Sequence, residues 1–332
     1  MDKHKLVRRL VTGMFRGGGI VFPFTQNFVT DANLSRWTNP SSVATVTGGK
    51  LVITPTAAEL LTNGDMEAGE PPTGWTASQS LLSSVADERT GGAGSKSINV
   101  AKNGTTPITY QMFAETKGDL FVVHVWFKNI DATTGGALTV TNSSIADVAA
   151  LFPSDVAWKE YLFAGWVTGV GAPAVVFQTI GNTNGQSCRF DDASVKKLTN
   201  CSIYRNFGAS LVTVKANWTL PTNFQGGVDV CISADGNSFV RGIVSRYYNK
   251  AFLVKYVNGV FSSVLAATSI TYAAGAPIEV RHTTANTFKL YYNNAQVGID
   301  QTISDAEIIN NTRHGIFSTG GTGAGCDAFF CS

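Results

Sequence analysis

Residues 58–75, AELLTNGDMEAGEPPTGW, have the form of a domain opening. A strand-like apolar start is followed by an Asn-Gly turn, a Pro-Pro break and a tryptophan. The stretch directly follows residues 42–56, SVATVTGGKLVITPT, in which Gly48-Gly49 predicts a hairpin turn between two alternating flanks. A second domain therefore begins before the first one is complete.

The first domain needs strands from elsewhere in the chain. Residues 20–57 form a segment too short to bury a stable core alone. Residues 200–332 supply a series of short alternating strands, punctuated by turns at Asn258-Gly259 and Asn293-Asn294. The two pieces together predict one antiparallel sandwich. In the second piece the sequence SDAE at 304–307 has the spacing of a capping box and predicts one short helix.

Residues 58–199 contain a complete strand series of their own, including DLFVVHVWFKN, WKEYLFAGWV and CRFDDASVKKL. Loops of a compact domain tolerate the insertion of a second domain. The sequence thus predicts an all-β protein of two antiparallel β-sandwiches of the jelly-roll type, one inserted into the other, preceded by a short N-terminal arm or helix. The predicted boundaries are 1–19 for the arm, 20–57 with 200–332 for the outer sandwich, and 58–199 for the inner one.

The N-terminal arm is the one basic feature of the chain. The net charge is only +2, yet residues 1–16 hold five lysines and arginines against one aspartate. Because phosphate binding needs clustered basic residues over a whole footprint, the nearly neutral remainder argues against a nucleic-acid surface. Leu6, Leu10 and Met14 have amphipathic helical spacing, so the arm is predicted to order on a partner, with a disordered tail as the alternative.

Composition points to a class of protein and not to a function. Charged residues make up 14% of the chain, which is low for a globular domain, and this balance is typical of all-β extracellular or virion proteins. The N-terminal sequence lacks a convincing secretory signal, and no apolar run reaches transmembrane length. The five cysteines are predicted to be mostly buried free thiols, with a Cys326–Cys331 disulfide left open.

Two resemblances cover nearly the whole chain. Residues 60–198 resemble a jelly-roll carbohydrate-binding module, through the opening LLTNGDMEAGEPPTGW, the middle YQMFAETKGDLFVVHVWFKN and the closing CRFDDASVKKL. Residues 21–56 and 201–331 resemble a laminin-G or concanavalin-like sandwich, notably through QGGVDVCISADGNSFVRG and NNTRHGIFSTG. Together they resemble a bacteriophage virion structural protein of the tail, fibre or capsid-decoration type. Neither resemblance fixes a ligand, because these folds host many functions.

The resemblance to carbohydrate-binding modules implies a structural Ca²⁺. In such modules acidic residues at both ends of the domain tie the first strand to the last, and oxygen ligands suit calcium. The matching positions are Asp65, Glu67, Asp191 and Asp192. The alternative is that the first two are turn and surface residues and that the aspartate pair accepts backbone hydrogen bonds.

Aromatic residues suggest a glycan surface. Along 120–127, strand alternation puts His124 and Trp126 on the face opposite to Phe121, Val123, Val125 and Phe127. Trp158 and Trp166 in the next strand pair can join that face, whereas Tyr161 points to the other side. Sugar rings need such aromatic faces with polar neighbours. The alternative is that these aromatic side chains belong to the core of the sandwich.

Catalysis is not expected. Glycoside hydrolysis needs two carboxylates facing one cleft, and the sequence lacks the Glu-x-Asp-x-x-Glu run of the sandwich-fold glucanases. None of the four histidines, His4, His124, His282 and His314, lies in a nucleophile-elbow or metalloprotease motif. The sequence therefore predicts a protein that is not an enzyme.

These patterns predict a virion accessory protein, assembled in the host cytoplasm and anchored to the capsid, neck or tail by its arm. The sandwiches would project outward, with weak adhesion to host surface glycans and neither nucleic-acid binding nor membrane insertion. Two alternatives remain: a dedicated carbohydrate-binding adhesin, and a polysaccharide-degrading enzyme with a divergent site. Homo-oligomers such as trimers are compatible with the sequence. The arm residues predicted to contact the particle are Lys5, Leu6, Arg8, Arg9, Leu10, Met14 and Phe15.

Overall fold

The computed structural model describes residues 24–28, 34–38, 43–86, 94–143 and 155–332, apart from the side chains of 263 and 264. The predicted all-β class is confirmed, because these residues form twenty-four strands and one four-residue helix. The chain divides into two compact units, an outer unit of residues 1–55 and 200–332 and an inner unit of residues 56–199. No helix among the described residues is both long and apolar enough to cross a bilayer.

The strands are numbered in chain order. The first thirteen are β1 (Phe24–Asn27), β2 (Ala44–Thr47), β3 (Lys50–Ile53), β4 (Thr56–Glu59), β5 (Thr76–Ser78), β6 (Ser80–Val85), β7 (Ser97–Lys102), β8 (Ile108–Met112), β9 (Leu120–Asn129), β10 (Gly135–Val140), β11 (Lys159–Trp166), β12 (Ala174–Ile180) and β13 (Ser187–Thr199). The others are β14 (Ser202–Asn206), β15 (Thr213–Thr219), β16 (Gln225–Ile232), β17 (Phe239–Ser245), β18 (Lys250–Val257), β19 (Val260–Ser269), β20 (Pro277–Thr284), β21 (Thr287–Tyr292), β22 (Ala295–Thr302), β23 (Arg313–Ser318) and β24 (Gly325–Cys331).

The outer unit is a sandwich of two antiparallel sheets. One has the order β2-β3-β24-β15-β20-β21-β22, with β1 also pairing with β24, and the other has the order β14-β23-β16-β17-β18-β19. Trp218 lies in the core at 1% exposure. Gly226 is required there, because a Cβ atom at this position would lie 2.7 Å from the Trp218 ring. The core therefore joins strands from both ends of the chain.

Turns and the short helix follow local chemistry. Asn258 and Gly259, like Asn293 and Asn294, have the positive φ angles that tight hairpin turns require, at the predicted positions. The helix α1 (Ala306–Ile309) forms where it was predicted, but the capping box is wrong. Its N-cap is Asp305, which makes no side-chain cap bond and instead pairs with Lys255 at 2.7 Å.

The inner unit is a second sandwich of two sheets. One has four strands in the order β10-β12-β8-β5, and the other has six, five in the order β11-β9-β13-β7-β6 and β4 as the sixth, paired with β13. The first and last strands of the unit thus meet, as the sequence predicted. Trp75 of the opening stretch is buried and stacks on Phe177 at 4.9 Å between ring centroids. Phe177 in turn stacks on Phe190 at 4.3 Å. This aromatic column joins the two sheets.

The five cysteines are buried free thiols, which confirms that prediction. Burial raises the pKa of each one, with values of about 12 for Cys188, Cys201 and Cys231. Thiols with raised pKa values carry little thiolate at neutral pH. These side chains therefore act as small apolar groups in the packing.

Candidate functional site

Strand β9 separates a core face from a polar aromatic face. Phe121, Val123, Val125 and Phe127 are at most 1% exposed, whereas the alternate positions 122, 124, 126 and 128 are half-buried. This alternation follows from the period of two along a strand, and it confirms the predicted sides of the β9 residues. The outward positions His124, Trp126 and Lys128 define the candidate site.

Strand β11 contributes a carboxylate to this face. Glu160 lies opposite Trp126 in the antiparallel register. Its Oε1 atom is 2.8 Å from Nε2 of His124, and the two side chains are 55% and 26% exposed. The His124 ring stands edge-on to Trp126, with 6.4 Å between ring centroids. A partly exposed hydrogen-bonding pair therefore sits beside an indole ring.

Trp158, immediately before β11, adds a second ring. Nζ of Lys128 lies 5.8 Å from the centroid of the Trp158 ring, a cation–π distance. The Trp158 Nε1 atom is buried and has no acceptor in the part of the chain that the structure describes. We name His124, Trp126, Lys128, Trp158 and Glu160 the Trp126 face.

Strand β13 borders the Trp126 face on the other side of β9. Asp191 lies opposite Trp126, and Ser194 lies opposite His124, with a β-bulge between them. Glu59 of β4 fixes Ser194, because its carboxylate accepts the Ser194 hydroxyl at 2.6 Å. Polar side chains thus continue across three neighbouring strands.

Trp166 and Tyr161 do not lie on the Trp126 face. Trp166 is 2% exposed, so its ring is part of the core and does not belong to the Trp126 face. Tyr161 points inward as predicted, where its ring contacts Phe127 and Phe163. Its hydroxyl donates to Asp155, and burial together with this carboxylate raises the pKa of Tyr161.

The acidic residues predicted to hold calcium have protein partners. Asp65 is exposed in a turn, where its Oδ1 atom accepts the Glu67 N–H at 3.5 Å. Glu67 Oε1 accepts the backbone N–H groups of residues 95–96 at 2.6 and 2.7 Å. Burial acts to raise the pKa of Glu67, but these hydrogen bonds outweigh it and lower the pKa. Asp191 is 2% exposed and accepts the N–H of Asp192 at 2.8 Å.

Among the described residues, no three His, Cys, Asp or Glu side chains converge as a metal-binding set. Structural calcium stays a prediction. The arm residues 5–15 lie outside the described residues, so the anchoring prediction is likewise untested.

Sequence reasoning missed a second charged group in the inner unit. Lys197 Nζ contacts Glu115 Oε2 at 2.5 Å and Asp119 Oδ2 at 3.1 Å, beside a surface pocket of about 560 Å³. Burial and the hydrogen bond with Asp119 raise the pKa of Glu115. Burial opposes the shift of Asp119, but hydrogen bonds from Glu115 and Thr116 lower its pKa to about 2. The three charges satisfy one another, which is the behaviour of a structural ion triad.

The sequence also missed Lys128 and Glu160 as members of the Trp126 face. Alternation along WKEYLF places Glu160 on the same side as Trp158, so the signal was present. What was missing was the register between β9 and β11, because strand pairing is set by contacts that are distant in sequence. Only this register shows that Glu160 lies close to His124.

No protein-family model and no curated protein sequence matches the chain. Among solved structures, a carbohydrate-binding module from Bacillus subtilis is similar at 17% identity, covering 41% of this chain and 82% of that one, with a TM-score of 0.32. The enzymatically active domain of tailspike protein 4 of bacteriophage CBA120 is similar at 16% identity. The match covers 42% of this chain and 21% of that one, with a TM-score of 0.35. Galectin LEC-6 of Caenorhabditis elegans is similar at 11% identity. The match covers 40% of this chain and 89% of that one, with a TM-score of 0.31. These likenesses concern fold alone, so function is inferred from the side chains.

Proposed function

We propose that the inner unit binds carbohydrate on the Trp126 face, and that the chain is a non-enzymatic accessory protein of a phage particle. The observation that carries the first part is the hydrogen-bonded pair His124–Glu160, partly exposed beside the Trp126 ring. A sugar presents an apolar C–H face and equatorial hydroxyls. An indole with a donor and an acceptor at its edge matches both.

Each residue has a distinct role in this proposal. Trp126 provides the surface on which the sugar ring packs, and the free positions of the His124 and Glu160 side chains bond its hydroxyls. Lys128 and Trp158 extend the face in the direction of the next sugar unit. Because the partners come from two paired strands of one sheet, their spacing is fixed before the ligand arrives, which lowers the cost of binding.

The expected affinity for one site is modest. The Trp126 face lies on a sheet surface, and such a surface covers less of a ligand than a deep pocket does. Many copies on one particle would compensate, because linked sites engage a polymer with high effective concentration. Weak single-site binding is therefore consistent with an adhesive role on a virion.

Affinity electrophoresis tests the carbohydrate proposal. The full chain is run in gels containing xylan, β-glucan, galactan or bacterial capsular polysaccharide, and retardation by at least one polymer is expected. Trp126→Ala should abolish most of the retardation, at least about tenfold in affinity, as for a binding hot spot. The control is Met112→Ala, a truncation of an exposed apolar side chain on the four-stranded sheet, where Met112 is 59% exposed. Equal retardation of Trp126→Ala and the wild type would contradict the proposal.

The particle role rests on the sequence of the arm. Residues 1–19 combine an apolar stripe with basic charge, a combination that suits docking on an acidic surface of another virion protein. Co-sedimentation with particles assembled without the protein tests this role. The full chain should co-sediment and a variant lacking residues 1–19 should not. Co-sedimentation of neither form would remove the anchoring proposal and leave the adhesin alternative.

The absence of enzymatic activity is also a proposal. The carboxyl groups of Glu115 and Asp119 are both bound to Lys197 in an ion triad, whereas glycosidases hold two carboxyl groups about 5 Å or more apart across a substrate. This geometry supports binding without hydrolysis. Release of reducing ends from any polysaccharide that the protein retains would contradict it.

A further inference from the structure

The inner unit contains a pocket of about 560 Å³ outside the Trp126 face. The loop that joins β8 to β9, the loop that joins β11 to β12, and Lys197 of β13 line it, and it shares no residue with the Trp126 face. Pockets of about 300–1,000 Å³ are the size at which proteins hold small ligands. The pocket is therefore a separate candidate site.

Backbone hydrogen bonds fix both loops of the pocket. In the first loop the Gly118 N–H donates to the Val167 carbonyl at 2.8 Å, and the Val167 N–H donates to the Asp119 carbonyl at 2.9 Å. In the second loop the N–H groups of residues 168–169 donate to the Asn142 carbonyl at 2.8 and 3.1 Å. The walls thus have a defined position before a ligand arrives, which lowers the cost of binding.

Charged side chains form the polar part of the lining. Two are acidic, Glu115 and Asp119, and two are basic, Lys117 and Lys197, so the lining has no net formal charge. Nζ of Lys197 contacts Glu115 Oε2 at 2.5 Å and Asp119 Oδ2 at 3.1 Å. Because an ammonium group has three N–H donors, these two contacts leave one. The side chains of Lys197 and Asp119 are 34% and 24% exposed, whereas that of Glu115 is 6% exposed. A donor and an acceptor are therefore accessible side by side.

The rest of the lining is largely small and apolar. Ala114, Val170 and Ala172 line the pocket, and Val170 is 89% exposed at its rim. Gly171 has a φ of +105°, a conformation that glycine adopts without steric cost, and it allows the loop to turn directly after Val170. Apolar surface at the rim of a pocket is surface that a ligand can remove from water. The pocket thus combines a polar pair with an apolar wall.

We propose that this pocket binds a neutral sugar residue through two neighbouring hydroxyl groups. A hydroxyl group both donates and accepts hydrogen bonds, so one hydroxyl accepts from Lys197 while its neighbour donates to Asp119. The apolar C–H face of the sugar ring packs on Val170. A neutral ligand suits a lining without net charge, because no buried charge is left unpaired. Glu115 is a positioning residue, which holds the ammonium group of Lys197 in place.

This second site rests on the proposed function only for the class of its ligand, and it does not use the Trp126 face. A free monosaccharide and the terminal residue of a glycan chain present the same hydroxyl groups. Saturation-transfer difference NMR of the full chain distinguishes these two sources. The probes are glucose, galactose, arabinose and fructose, and oligosaccharides from partial hydrolysis of xylan, β-glucan and galactan.

Saturation transfer to at least one probe is expected. Transfer to the terminal residue of an oligosaccharide would identify a chain end as the ligand, and transfer to monosaccharides alone would identify a free sugar. Absence of transfer to every probe overturns the proposal.

The variant Val170→Asp assigns the signal to the pocket. Because Val170 is 89% exposed, this substitution should leave the fold intact, and circular dichroism checks that it does. Sugar affinity should fall about fivefold or more, as when part of a valine contact is lost. The matched control is Val260→Asp, the same substitution at a valine of the outer unit that is 59% exposed, and it should bind like the wild type. Equal affinities of the two variants would overturn the assignment.

The variant Trp126→Ala separates the pocket from the Trp126 face. Sugar binding in the pocket should survive in Trp126→Ala, whereas retardation by polysaccharide gels should not. Loss of the sugar signal in Trp126→Ala, with an unchanged signal in Val170→Asp, would overturn the pocket proposal and leave the proposed function. Sugar binding that depends on Val170, without any retardation in the gels, would support the pocket and contradict the Trp126 face.

Discussion

Both units carry a hydrogen-bonded pair of ionisable side chains beside aromatic rings, and the two pairs differ in accessibility. In the outer unit Arg241 binds Asp229 through hydrogen bonds of 2.6 and 2.9 Å, and the side chains are 6% and 2% exposed. Phe317 lies 3.7 Å from the guanidinium. In the inner unit His124 and Glu160 are 2.8 Å apart and remain 26% and 55% exposed.

The difference between the pairs lies in what is left for a ligand. Ser202 donates to Asp229 and accepts from Arg241, so the buried pair has satisfied its main donors and acceptors internally. The His124–Glu160 pair keeps exposed atoms next to the Trp126 ring. A hydrogen-bonded pair of this kind thus stabilises the packing when it is buried and can contact a ligand when it is exposed.

The largest effect should come from opening the buried pair. Asp229→Ala leaves Arg241 buried without its counter-ion, and breaking such a pair costs about 3–5 kcal/mol. Glu160→Ala in the exposed pair should cost at most about 1 kcal/mol. Urea unfolding followed by hydrogen-exchange mass spectrometry gives the free energy of unfolding of each unit separately. Similar losses in the two variants would contradict the contrast.

Acid should distinguish the two units through a buried histidine. His314 is completely buried, with Nδ1 accepting the Cys231 N–H and Nε2 donating to the Ala209 carbonyl. Burial lowers the pKa of His314 from 6.5 to about 4. The unfolded chain binds this proton near pH 6.5 and the folded one only near pH 4, so the stability of the outer unit falls as the pH drops through that window, by about 3 kcal/mol.

The inner unit should therefore keep its stability to a lower pH than the outer unit does. Its low-pKa carboxylate Asp119, at about 2, loses its contribution only as the pH falls below the ordinary value of 3.8. The free energy of unfolding of each unit at pH 7, 5.5 and 4.5 checks this order, with His124→Gln, which removes a partly exposed histidine of the inner unit, as control. An outer unit with unchanged stability between pH 7 and 4.5 would refute the role of His314.

The smallest effect concerns the polar edge of the Trp126 face. Glu160→Gln keeps the size of the side chain and removes its charge, so polysaccharide affinity should fall about 2- to 10-fold, the value of one hydrogen bond. Thermal stability should stay unchanged. Affinity electrophoresis with the retained polymer measures the loss. An unchanged affinity would remove Glu160 from the site and leave Trp126 as its remaining anchor.

Local patterns predicted the strands better than the site. Alternation along β9 gave the correct sides for Phe121 to Phe127 because one face of the strand is buried. The same reasoning could not exclude Trp166, since its position on β11 has outward alternation while its actual exposure is only 2%. Burial depends on what packs over a residue, and that information is not local.

Long-range pairing also explains the other omissions. Glu160 joins His124 only through the β9–β11 register. The capping box also failed, because the helix N-cap is Asp305 and not Ser304, and Asp305 pairs with Lys255 on a distant strand. Composition and spacing do not contain these contacts.

The most direct test of the central claim is the indole N–H spectrum of the chain labelled with ¹⁵N-tryptophan, recorded during titration with a retained polysaccharide. Six indole signals are available, from Trp37, Trp75, Trp126, Trp158, Trp166 and Trp218. Carbohydrate binding on the Trp126 face predicts progressive shifts of the Trp126 and Trp158 signals, with the buried Trp75, Trp166 and Trp218 unchanged. Shifts confined to other tryptophans, or an unchanged spectrum at saturating polymer, would contradict it.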